Sequence, residues 1–555
     1  MSEPFSATIA RYLRTLRASP RRAIILLLGL IVVLALMALG MWFIAQQNRS
    51  LAMLNWLNLL LIPALLGLAA IWLTNSWRRT QLEVARLRDE RAMIEAYYDR
   101  LTDLLLSRNL RDAATEDETA RAARAHTLTI FRQLDGEGRG QIVRFLYESA
   151  LLNAGGPIVD LQSAELQGIV LDRTHMPGIN LRNVDLGQAR LGAAELPASD
   201  LREARLDGAD LTGADLSESY LRGATLRDAQ LSNANLRNAI LTKAILVGAN
   251  LRDADLTDAN LSGADLSQAD LTNANLKGVK LNGANLSAAI LDDADISLAN
   301  LNKANLTGVV AGGANLSGAN LAGAILVGAR LNGAILGGSI LSEADLSDAE
   351  LREANLNLAN LRGAIMNQAI LTGANLRDAI MGRVSMSGAD LTGSDLSRAN
   401  LSIANLNRAI LNRANLEEAG LSGADLRGAQ LRGANLRGSI LRGAILGDAD
   451  LSRADLTKAN LRWANLNNAN LTGADLTEVD LTDAEVTPQT LAKARSVTKV
   501  DRSDPGHFES APAVIAPTPS GPLPAARNPS YQRPAGSRAN PADKPPAGQK
   551  TTPGE

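Results

Sequence analysis

Residues 209–216 read Ala209-Asp210-Leu211-Thr212-Gly213-Ala214-Asp215-Leu216, and this five-residue phrase governs most of the chain. From Leu161 to Leu481 the positions ending in 1 or 6 number 65, and 59 of them are Leu. Met176, Ile296, Ala311, Met366, Met381 and Met386 are the exceptions, and the frame never slips. The position two residues earlier, from 159 to 479, is Ala in 51 of 65 cases. Asp or Asn often stands between them, as in Ala234-Asn235-Leu236.

A period of five excludes an α-helix, because five residues advance about 500° and successive Leu would walk around the cylinder. On an extended segment the Ala and Leu, two residues apart, face one way and the residue between them faces out. Each unit therefore predicts a short extended piece with Ala and Leu inward and Asp or Asn outward. A two-residue corner follows, where Gly208, Gly213 and Gly263 tolerate unusual dihedrals. One unit cannot bury its own Leu, but stacked coils can. Each fully buried Leu contributes about 1.5–3 kcal/mol, so the summed ladder dominates stability. At Val309-Val310-Ala311 the large and small inward residues are exchanged, which roughly keeps the inward volume.

The tandem pattern A(D/N)Lxx from Leu161 to Leu481 resembles the pentapeptide-repeat family, in its bacterial, membrane-anchored type with two N-terminal transmembrane helices. The resemblance implies an all-β solenoid, a right-handed quadrilateral β-helix with four pentapeptides per coil. About 16 coils spaced ~4.8 Å apart would make a rod roughly 75–80 Å long. The stretch 97–155, with Leu128-Thr129-Ile130-Phe131 and Arg144-Phe145-Leu146-Tyr147, also resembles a segment found before such repeats in bacterial membrane proteins. No activity comes with that likeness.

Outside the repeat the chain changes character. Residues 1–22 are a basic N-terminus, and 23–76 hold two apolar segments, about 24–45 and 54–75, each long enough for a bilayer. Trp42, Trp56, Trp72 and Trp77 fall near their ends, as interfacial Trp do. Arg11, Arg14, Arg17, Arg21 and Arg22 precede the pair, Arg78, Arg79, Arg86, Arg88 and Arg91 follow it, and only Arg49 lies between. That asymmetry places both termini in the cytoplasm, and the resemblance implies a multi-pass anchor in the inner (plasma) membrane of a bacterium. Residues 77–156 read as a helical connector and N-terminal cap, with helices over 77–107, 118–134 and 141–152. Residues 157–486 are the repeat. Thr487-Pro488 starts a capping helix within 487–500, and the Pro/Ala-rich tail 501–555 reads as disordered.

Composition limits the chemistry. Apolar residues make up 46% of the chain but aromatics only 3%, which suits a core built from two or three residue types. There is no Cys, and His126, His175 and His507 lie in three different regions, so no metal site is expected. Net charge is +5 over 1–156, −11 over 157–486 and +4 over 487–555. Most Asp and Glu occupy the outward position of the repeat and read as solvated surface, so paired carboxylates arise by repetition alone. No phosphate loop or dinucleotide fingerprint is present. We expect no catalytic residues, no cofactor and no enzymatic activity.

Two surface features stand out. Ile replaces the outward Asp or Asn at Ile325, Ile335, Ile340, Ile365, Ile370 and Ile380, a candidate partner surface. Arg182, Arg202 and Arg222, spaced by 20, form a candidate basic stack for an anion or acidic partner. The leading functional expectation is a membrane-anchored scaffold whose cytoplasmic rod binds an unidentified protein. The alternative is a DNA-mimic regulator of a DNA-binding enzyme such as a topoisomerase. The −11 is spread over 330 residues that also hold 28 Lys and Arg, so the rod is not one-sidedly acidic, and no nucleic acid is expected as a ligand.

Overall fold

Five backbone N–H groups per unit need acceptors, and the repeat supplies them in a fixed way. In the computed structural model, which describes residues 52–153 and 155–497 together with Leu39 and Trp42, the unit 210–214 shows the scheme. Leu211 donates to the carbonyl of Gln230 at 2.7 Å, and Gly213 donates to Ser232 at 2.9 Å, both on the next coil. Asp210 donates to Ala189 on the preceding coil at 2.8 Å, and Ala214 closes the corner onto Leu211 at 3.0 Å. The fifth group, the N–H of Thr212, is taken by the side chain of Asp210, whose Oδ1 accepts it at 3.1 Å. Asp255 with Thr257, Asn305 with Thr307 and Asn435 with Arg437 repeat that brace.

The outward Asp and Asn are therefore structural parts of the corner. The expectation that they are merely solvated is corrected: the short Asp and Asn side chains reach the N–H two residues on, and do so more strongly than Ser or Thr. Where the outward residue is something else, the brace can come from one coil below. Asp172 serves Gly192 where Arg190 points out, Asp207 serves Arg227 where Thr225 does, and Asn412 serves Arg432 where Gln430 does.

Bridging follows from this bonding. Each outward residue pairs in parallel with the one 20 positions on, from Glu165 with Asp185 to Asn465 with Glu485. Twenty residues thus make one coil with four sides, and the extended part of each side shrinks to a single bridging residue. The inward Leu and Ala lie at or near zero exposure up to Leu476, Val309 and Ala311 included, and Leu481 at the tip is partly buried. Counted from the inward Leu that opens each turn, the third residue of the corner is left-handed. Gly fills it often, but Glu203, Lys243, Glu343 and Arg398 sit there too, with φ between 57° and 61°.

The base of the rod is helical. Helix α1, Ala52–Ser107, runs unbroken for 56 residues. Its last third buries Ile94, Tyr97 and Leu101 against α2, Glu118–Phe131, and α3, Gly136–Glu148. The Tyr97 hydroxyl meets Thr127 Oγ1 at 2.7 Å in the buried centre, and burial pushes the Tyr97 phenol well above its ordinary range. Helix α3 starts five residues before the position expected from sequence. Its Gly-Glu-Gly-Arg-Gly start argues against a helix by propensity, yet Asp135 caps Gly138 N–H at 2.9 Å. The glycines serve contact: a Cβ on Gly136 would fall 2.1 Å from the Gly168 carbonyl oxygen, and one on Gly140 2.2 Å from that of Val170. Gly136 also accepts the N–H of Val170 at 3.0 Å. Arg124 donates to the carbonyls of Asp160 and Gln162, and Arg139 to those of Phe131 and Gln167. These contacts close the first coil.

The tip is lighter than the expected helix over 487–500. Strand β1, Asp475–Leu476, receives a one-turn helix and a strand: α4, Pro488–Leu491, capped by Thr487, and β2, Ser496–Val497, parallel to β1. Gly473 donates to Lys493 at 2.9 Å, Arg495 donates to Ala474 at 2.8 Å, and Ser496 Oγ bonds Asp475 Oδ1.

Among the described residues no helix is long and apolar enough to cross a membrane. The expected second segment, 54–75, falls in the N-terminal part of α1, whose side chains are described from Gly67 onward. Of the expected first segment only Leu39 and Trp42 are described, both exposed. The basic stretch 1–22 and the tail 501–555 lie outside the described residues.

Candidate interaction surface

The four-sided geometry distributes the outward isoleucines. Ile325 and Ile365 share one side with Asp345 between them, and Ile340 and Ile380 share the neighbouring side with Asn360 between them. Ile335 and Ile370 lie on the other two sides. Ile325, Ile335, Ile340 and Ile365 are exposed, whereas Ile370 and Ile380 are half-buried. The six do not form one face. Every Ile unit also gives up the corner brace: the N–H groups of Val327, Gly337, Ser342, Asn367, Thr372 and Gly382 have no protein acceptor among the described residues. Such a lost bond costs on the order of 0.5–1.5 kcal/mol.

The arginine stack is present as a column, but its charges are partly spent. Arg202 holds Asp200 through two bonds of 2.8 and 2.5 Å, which raises the guanidinium pKa further. Arg182 stands 3.8 Å from Glu203. Arg222 alone of the three has no carboxylate partner among the described residues.

Sequence reasoning passed over the third corner position, because it searched the outward one. Leu298, Leu358, Ile403 and Trp463 occupy that corner, all left-handed and all exposed. Arg442 and Arg462 lie over the Trp463 ring at 4.8 and 5.1 Å, and the Trp463 indole N–H donates to Asp483 at 3.1 Å. The signal is in the sequence: large apolar residues break a position otherwise filled by Gly, Ala and polar side chains. Among the described residues no group of His, Asp and Glu is arranged to hold a metal ion.

A parallel, four-sided solenoid with 20 residues per coil defines the class of protein. The sequence pattern described as pentapeptide repeats matches in overlapping stretches that together run from 179 to 483, more than half the chain, and the protein belongs to that family. No curated protein matches the chain. Among solved structures it is similar to HetL, a pentapeptide repeat protein involved in heterocyst differentiation regulation from the cyanobacterium Nostoc sp. strain PCC 7120. The identity is 37% over 43% of this chain and 89% of HetL, with a TM-score of 0.17. QnrB1, a plasmid-mediated fluoroquinolone resistance protein, is 20% identical over 39% of this chain and 91% of its own, TM-score 0.23. Rfr23 from the cyanobacterium Cyanothece 51142 is 39% identical over 19% and 62%, TM-score 0.09.

Proposed function

We propose that the protein is a non-catalytic scaffold, anchored in a membrane by its N-terminal apolar segments, that presents the repeat as a rigid docking rod on the cytoplasmic side. One observation carries the reading. Helix α1 is continuous from an exposed apolar stretch, where Leu68, Ile71, Trp72 and Trp77 stand open, to the buried Ile94, Tyr97 and Leu101 that pack into the base. A continuous helix transmits position, so whatever holds its first turns also fixes the rod. The base of the rod is closed by side chains and carbonyls of its own cap, and most coil backbone groups bond to neighbouring coils, which suits a rod that presents its surface.

The test is fractionation of the full chain with alkaline carbonate washing. Retention in the membrane pellet, lost when both apolar segments, 24–45 and 54–75, are removed, is the expected result. Release of the unaltered chain by carbonate would overturn the anchor. Proximity labelling from the tip and the base in native membranes then reads the partner, and equal labelling of a rod-deleted chain would remove the scaffold role.

A further inference from the structure

The bulky corner residues come in two sets with one design. Up one edge stand Leu298, Gly318, Gly338 and Leu358, one coil apart, with Ile335 and Ile340 on the two sides that meet at Gly338. Up the next edge stand Ile403, Gly423, Gly443 and Trp463, with Ile440 and Ile445 flanking Gly443. All six positions of the second set follow the first by 105 residues, which is five coils and one side. The local sequences agree: Ile296-Ser297-Leu298-Ala299-Asn300 matches Leu401-Ser402-Ile403-Ala404-Asn405, and Leu356-Asn357-Leu358-Ala359-Asn360 matches Leu461-Arg462-Trp463-Ala464-Asn465.

The shape is an apolar saddle. The lower post leans up: a Cβ on Gly318 would fall 3.0 Å from Leu298 Cδ2, and one on Gly423 3.8 Å from Ile403 Cγ1. At Gly338 and Gly443 an added Cβ would meet nothing within 4 Å, so the floor there is open. Three coils between posts span ~14 Å, and a helix with its side chains is about 10–12 Å across. The posts are 64% and 61% exposed in the first saddle, 61% and 49% in the second. Each saddle is also kept at a local cost. Ile403 is β-branched at φ 59°, an expensive conformation. The corner N–H groups of Gly337, Ser342, Arg442 and Gly447 lack the brace that Asp or Asn would give.

The second saddle adds charge. Arg442 and Arg462 have no carboxylate partner among the described residues and stack on Trp463 instead, which leaves their cationic edges to a partner. Trp and Arg held rigid in this way are the residue types that anchor interfaces.

We infer that the two saddles are equivalent docking sites for an amphipathic helix of a partner protein. The helix crosses the rod edge between the posts, sets an apolar side chain over Gly338 or Gly443, and turns an acidic flank toward Arg442 and Arg462 in the second saddle. The inference rests on the scaffold reading and names the class of partner.

The probe is a stapled Leu/Glu helical peptide of roughly four turns, titrated calorimetrically into the full chain in detergent, beside versions with Gln or Lys replacing Glu. Two sites are expected, the tighter at the second saddle, with the Lys version at least tenfold weaker there. Gly338→Lys and Gly443→Lys fill the floors. Lys already occupies the same corner at Lys243, Lys303 and Lys458, so the fold is expected to persist and circular dichroism checks it. Each change removes one site, although Gly443→Lys adds a positive charge that would tighten a purely electrostatic contact. Undiminished Glu-helix binding in the double variant overturns the inference, as does equal binding of the Lys helix. Self-association of the chain abolished by the same double variant overturns it in favour of a second copy. If the peptide fails while proximity labelling still recovers a rod-dependent partner, the saddles fall and the scaffold stands.

Discussion

The two ends of the rod solve one problem with very different means. Both must satisfy a coil that has no neighbour on one side. The base does so with α2, α3 and the end of α1, glycines pressed against backbone carbonyls, and two arginines that each hold two carbonyls. The tip uses one helical turn and two residues of strand. The heavy end is the one joined to α1. At the base the closure is large and interlocked; at the tip a short cover blocks the last edge.

That contrast can be broken in graded steps. Gly140→Val forces a side chain into the Val170 carbonyl, and we expect a loss of about 3–5 kcal/mol by chemical denaturation with early exposure of α3 amides. A melt unchanged by Gly140→Val would mean that the base is not interlocked. Truncation after Val486 removes the tip cover; we expect a smaller loss, about 2 kcal/mol, with self-association by light scattering through the bared edge. Tyr97→Phe removes the hydroxyl that meets Thr127 Oγ1, which keeps its bond to the Ala123 carbonyl, and should cost about 1 kcal/mol, confined to the base in hydrogen exchange. Thr487→Ala deletes the cap of α4 and should cost about 1 kcal/mol, confined to the tip.

The smallest effect is the most discriminating. Hydrogen bonds from Ser496 and Thr477 hold the Asp475 carboxyl below its ordinary pKa, so its stabilisation is present at neutral pH and lost as pH falls through the lowered value. The Tyr97 phenol is raised by burial, so its contribution is intact below about pH 10 and lost as pH rises beyond that. Acid should loosen the tip first and alkali the base first. Amide exchange at the two ends across pH reads this directly, and simultaneous loosening would show that the ends are coupled through the rod.

How legible was this in the sequence? The frame was complete, because inward Leu and Ala obey a rule that depends on nothing outside the unit. The corner brace was not, since it needs the dihedrals that carry Asp210 Oδ1 to Thr212 N–H. The substitutes Asp172, Asp207 and Asn412 act across coils, where a five-residue motif has no view. Helix α3 was placed late because its glycines oppose helix formation locally and are retained for contact with the rod. The isoleucines were visible as a cluster in sequence, but counting by 20 spreads them over four sides. The arginine column follows from counting by 20, yet Asp200 and Glu203, which spend its charge, sit just off the period. Leu298, Leu358, Ile403 and Trp463 lie in a corner position that the A(D/N)Lxx pattern leaves unspecified.

The pairing of each outward residue with the one 20 further on has a consequence for how such a chain can change with time. Gain or loss of four units alters only height: everything beyond keeps its compass bearing. Gain or loss of one unit swings everything beyond it to the next wall. Length and direction are thus encoded in the same currency, and a lineage can re-aim the upper saddle against the lower one by a single in-frame slip, without inventing a new contact.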